Sequence, residues 1–193
     1  MSLGFRLGTV AYTYVMMALA LFIPATGILG RKIKWGYLAV FCICAEVLQW
    51  LTLGIAVLMT IMGVSEEIAT STLFDITCYT ATALVLGLLL ARALRMPLIQ
   101  TVTAAVLGTF ISNTANSLMV QVVEEYAPLF DRQHFLVFVR MYVPYTLTLT
   151  VACFVSFILR KSEFYRYFTA LFRSRGRAVL TLLICYVLMC TMP

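Results

Sequence analysis

The stretch LGLLLARALRMPLIQTVTAAVLG, from Leu86 to Gly108, decides the fold. Two apolar runs flank a short turn that carries Arg92 and Arg95 and closes at Pro97. Proline suits the first position of a helix, where the missing N–H has no partner to lose. Neither run alternates polar and apolar residues as a half-buried strand would. The stretch therefore predicts a helical hairpin with apolar arms and a basic, solvated turn.

The same unit recurs along the chain. Of 193 residues, 63% are apolar and 11% are charged, whereas a soluble domain carries about 25% charged residues. That leaves too little polar surface to coat a globule in water, so apolar area is expected to face lipid. The fold class is all-α: one polytopic transmembrane helix bundle over residues 1–193. A span needs about 20 apolar residues. Six are expected, over 7–29, 36–63, 72–91, 97–123, 135–159 and 178–192. Pro24 and Pro144 fall inside the first and fifth, as packed membrane helices tolerate. Segment 162–176 places Phe164, Phe168, Leu171 and Phe172 at helical spacing, with Arg166 and Arg173 on another face. It predicts a short amphipathic helix on the inner leaflet, or else a plain basic loop.

Charge orders these helices. Every Lys and Arg except Arg6, Arg132 and Arg140 falls in alternate connections: Arg31, Lys32 and Lys34; then Arg92 and Arg95; then Arg160, Lys161, Arg166, Arg173, Arg175 and Arg177. The other two connections hold Glu66, Glu67, Glu124, Glu125 and Asp131. Basic connections stay cytoplasmic, so the N-terminus is expected outside a plasma membrane. The net charge of +6 is spread along these turns and does not form a nucleic-acid face. Cys42, Cys44, Cys78, Cys153, Cys185 and Cys190 all lie in apolar runs and read as packing residues.

Polar residues inside spans are candidates for function. Counting 1.5 Å per residue puts Asn113 and Asn116 in the outer third of the fourth span, at the depth of Arg140 in the fifth and just below Asp75 in the third. These four residues predict a polar pocket open to the outside, with Arg140 as its positive centre, paired with Asp75 or holding a ligand carboxylate. The bland alternative is a structural Arg140–Asp75 pair with bridging amides. Glu46, with Gln49 a turn on, lies near mid-membrane and reads as a proton relay or as a helix-to-helix hydrogen bond. His134, the only histidine, is expected at the outer interface. No catalytic centre, metal site or cofactor motif is evident: G-x-x-x-x-G-K-[ST], G-x-G-x-x-G and H-E-x-x-H are all missing.

The layout resembles a known family. An external N-terminus, the basic turn and Thr/Ala-rich helix of Leu86–Gly108, and the Arg- and aromatic-rich exit FILRKSEFYRYFTALFRSRGRAVLTLLICYVLM (Phe157–Met189) are similar to the N-terminal membrane sensor region of peptide-sensing histidine kinases with a GHKL-type ATPase domain, of the accessory-gene-regulator style. The resemblance implies an external ligand, often a peptide, a homodimeric receptor, and a seventh helix leading to a cytoplasmic kinase. The sequence departs from that pattern after Met192, with no seventh span, phospho-accepting histidine or nucleotide motif. Six crossings from an outside start would leave Pro193 outside, so the expectation is a piece of a longer receptor. The alternative is a complete six-helix protein. Two other functions stay open: a six-helix transporter or substrate-binding transporter subunit using Glu46, and an assembly partner with no ligand beyond the bilayer.

Overall fold

The structure, a computed structural model, describes residues 3–31, 34–62, 72–126, 133–172 and 174–190. Among these residues there are seven helices and no strand. They are α1 (Leu3–Leu29), α2 (Trp35–Ile61), α3 (Thr72–Leu94), α4 (Leu98–Tyr126), α5 (Gln133–Lys161), α6 (Phe164–Leu171) and α7 (Arg175–Cys190).

Four described segments are long and apolar enough to cross a membrane: Gly8–Leu29, Thr77–Leu94, Leu98–Tyr126 and Tyr142–Lys161. The α2 backbone runs for 27 residues, about 40 Å, and its Gly36–Leu48 portion is apolar. By contrast α7 has 16 residues, about 24 Å, less than the about 30 Å of a hydrocarbon core. Each expected apolar run falls on a helix among the described residues, and several helices start before or run past theirs. Charged residues such as Arg92, Glu124, Glu125, Arg160 and Arg175 extend helical backbone past the apolar limits, because Glu and Arg are good helix formers. Pro24 and Pro144 lie inside continuous helices, and both are fully buried.

Side-chain pairs fix the direction of each helix. On α1 and α5 the partners rise together: Thr9 with Tyr142, Tyr12 with Thr146, Ile23 with Ser156 and Thr26 with Arg160. Their sequence separation holds at 133 or 134 residues, so the two helices run parallel. On α4 and α5 partners run oppositely, Asn116 with Thr148 and Glu124 with Arg140. The α1–α2 hairpin is antiparallel too, with Phe22 stacked on Phe41 and Tyr14 edge-on to Trp50. So is α3–α4, where Gly87 lies against Val102. Hence α1, α3 and α5 point one way, and α2 and α4 the other.

The consequence is a sorting of charge. Arg31, Lys34, Arg92, Arg95, Arg160, Lys161, Arg166, Arg175 and Arg177 all lie at one end of the bundle, while Glu124 and Glu125 lie at the opposite end. These are called the basic end and the acidic end below.

The central helix is α4, which packs on α1, α3, α5 and α7. Residues 100–106 are buried without interruption. Small side chains allow that close packing, as in membrane bundles generally. A Cβ on Gly108 would stand 2.9 Å from the Leu21 carbonyl oxygen, and one on Gly87 would stand 2.8 Å from Val102 Cα. Buried threonines satisfy themselves by donating to the preceding turn, Thr103 to Ile99 O at 2.7 Å and Thr109 to Ala105 O at 3.0 Å. Outward faces are apolar: Ile43, Leu51 and Leu58 on α2, Phe154 and Phe157 on α5, and Leu180 on α7 are all exposed. A surface of that kind is stable against lipid rather than water.

Helix α6 lies where a short amphipathic helix is expected, but its aromatic stripe does not stand free. Phe168 is buried, Phe164 and Phe172 pack on the same core, and the three rings contact in series. Tyr165 closes over Gly30, whose φ of +62° places it in the left-handed region. A Cβ there would come within 2.7 Å of the Tyr165 ring. The phenylalanine face is thus spent on the end of the bundle, leaving Tyr167 and Leu171 for the surface.

Candidate functional site

The polar residues of α4 and α5 form two levels, not one. At the acidic end Arg140 Nη2 lies 2.9 Å from Glu124 Oε2, and both side chains are 51% exposed. Two turns deeper, about 12 Å along the axis, buried Thr148 donates to the Pro144 carbonyl at 2.8 Å and stands 3.4 Å from Asn116 Oδ1. Asn113 lies half-buried nearly one turn farther along α4, and the hydroxyl of buried Ser112 has no hydrogen-bond partner among the described residues. The expectation that Arg140 and both asparagines share one depth therefore does not survive. Helices α4 and α5 pair so that Arg140 meets the last turn of α4, and its long side chain reaches outward to water and Glu124.

Arg140 thus has a described partner that sequence reasoning did not assign. The side chains of Asp75, Gln49 and His134, and the whole of Arg173, lie outside the described residues. So do Glu66, Glu67 and Asp131. Among the described residues no three metal-ligating side chains converge.

A second polar region runs along the α1–α5 seam. Thr9 and Tyr142 share a hydrogen bond of 2.8 Å, and Tyr12 and Thr146 share one of 2.7 Å. The Tyr12 and Tyr142 rings lie 4.9 Å apart. Toward the basic end Ser156 donates to Ile23 O at 3.0 Å, and Arg160 donates to Thr26 Oγ1 at 3.1 Å. Gly27 makes this crossing possible, since a Cβ there would meet the Ser156 side chain. The seam had a sequence signal that was missed: Thr9, Tyr12 and Thr13 on one helix, and Tyr142, Tyr145 and Thr146 on the other, repeat the same i, i+3, i+4 spacing.

Glu46 is half-buried on α2. Its Oε1 accepts a 3.2 Å hydrogen bond from Trp50 Nε1, while Oε2 is buried with no partner among the described residues. At the basic end Arg166 pairs with Glu163 at 2.7 Å. The Tyr165 hydroxyl and the Glu163 carboxylate push the Arg166 guanidinium pKa up, and the side chain is exposed. Arg175 and Arg177, at the same end of the bundle, are exposed.

Comparison with family models, curated proteins and solved structures gives no match to this chain. The likeness to kinase sensor regions accordingly rests on the sequence features alone.

Proposed function

We propose that the chain is the membrane sensor module of a two-component histidine kinase, taking an external ligand at the acidic end and passing a helix shift toward the basic end. The supporting observation is the reach of one helix. Helix α5 holds the half-exposed Arg140–Glu124 pair near one end. Its other end is bonded to α1 through Ser156 and Arg160 and continues into α6, which clamps Gly30. A ligand carboxylate, such as a peptide C-terminus, would compete with Glu124 for the Arg140 guanidinium. That exchange favours whichever α4–α5 arrangement leaves Arg140 open, and differential affinity of this kind is what drives a conformational shift. Pro144, between Arg140 and the Ser156 and Arg160 bonds to α1, removes one backbone hydrogen bond and gives α5 a point at which to flex.

In this reading the acidic end faces outward from the plasma membrane, and Asn113, Asn116 and Asp75 lie below or beside the ligand. The test uses the purified chain in lipid nanodiscs with short peptides bearing a free or an amidated C-terminus. Free-carboxylate peptides should raise the thermal midpoint, amidated ones should not, and Arg140→Gln should abolish the difference. Equal shifts from both forms, or none from either, would contradict the reading. A transporter is the second reading, favoured by the buried oxygen of Glu46 on the apolar part of α2, which has no partner among the described residues.

A further inference from the structure

Glu46 stands in aromatic company. Trp50, one turn on, donates to it. The Tyr14 ring meets the Trp50 ring edge-on at 6.2 Å. Tyr14 is itself half-buried on α1. The cluster therefore joins α1 and α2, with Glu46 about 17 Å along α2 from Trp35. The two ion pairs among the described residues are Arg140–Glu124 and Arg166–Glu163, so no described cation balances Glu46. A carboxylate inside a membrane bundle without a counter-charge is a functional signal. Trp50 is 38% exposed, on the lipid-facing side of the cluster.

A counter-charge that no described residue supplies has a restricted chemistry. A metal ion would need several ligand atoms at once, and no group of three ligating side chains is present among the described residues. A small ammonium would need direct contact with oxygen, yet Oε2 is sealed from the surface. A large cation with dispersed charge needs neither. It binds over ring faces and is attracted through space by the carboxylate. We propose that Glu46, Trp50 and Tyr14 form a site for a lipophilic organic cation, approached from the membrane between α1 and α2. The site is independent of the Arg140–Glu124 pair and of the sensor reading.

The test takes the full chain in nanodiscs, with Trp35→Phe so that Trp50 is the sole indole of the two, and tetraphenylphosphonium as the probe. Saturable quenching of Trp50 is expected, whereas neutral triphenylphosphine oxide should give only a linear partition signal. Glu46→Gln should raise the half-saturation concentration by about tenfold or more, with Tyr167→Ala unchanged. Should Glu46→Gln fail to fold, Tyr14→Leu carries the same expectation. Non-saturable quenching, equal quenching by the neutral oxide, or an unchanged half-saturation in the folded variant would overturn the proposal.

Discussion

At the scale of single residues, two kinds of position matter. Gly27 is steric: its Cα faces Ser156, whose own Cα would lie 3.0 Å from any added Cβ. Gly27→Ala should destabilise the bundle by about 1–3 kcal/mol, seen as a lower midpoint of thermal unfolding in detergent. Ser156→Gly in the same chain should recover part of that loss, and strict additivity of the two would mean that the crossing is looser than described. Arg140 is electrostatic. Because both partners are half-exposed, water screens the pair, and Arg140→Gln should cost less than about 1 kcal/mol. Normal expression of that variant is the expected outcome. Collapse of expression would mean that Arg140 holds the fold and is not free to answer a ligand. The hydroxyl ladder is weaker still per rung: Tyr142→Phe should lower stability by about 0.6 kcal/mol, the average for a hydrogen bond between membrane helices.

At the scale of elements, the apolar runs were legible and their ends were not. Leu86–Gly108 reads directly as two helices because hydrophobic length and a basic turn leave no other solution in lipid. The helices then continue through Glu124, Glu125 and Arg160, whose backbones gain from another turn even where the membrane has ended. Depth was misjudged for a related reason. Counting rise from an assumed start cannot supply the register between α4 and α5, and a slip of two turns moved Arg140 from Asn116 to Glu124. The α1–α5 seam was hidden because its polar residues, individually mild, converge from helices far apart in sequence. Helix α6 was read from its phenylalanine spacing, yet spacing cannot tell a lipid surface from the end of a bundle. Its docking is testable. Phe168→Ala should cost about 3 kcal/mol and expose the α5–α7 connection to limited proteolysis, while Tyr167→Ala should change neither by more than about 0.5 kcal/mol. Equal protection of both variants would show that α6 is not anchored by its buried ring.

At the scale of the whole molecule, one regularity organises the rest. The alternation of basic and acidic connections in the sequence becomes, through the helix directions, two ends of opposite charge. Parallel α1 and α5, α2 and α4 running opposite to them, and the clamp of α6 on Gly30 gather Arg31, Lys34, Arg92, Arg95, Arg160, Lys161, Arg166, Arg175 and Arg177 at one end, with Arg140 at the other. A bundle sorted in this way should insert with its basic end in the cytoplasm, which puts the Arg140–Glu124 pair within reach of an external ligand. The most direct measurement uses a variant lacking the six native cysteines, with Glu125→Cys or Arg175→Cys, and a membrane-impermeant maleimide applied to intact cells. Labelling at position 125 and protection at position 175 is the expected result. Labelling at 175 with protection at 125 would invert the bundle and remove the basis for an external site at Arg140.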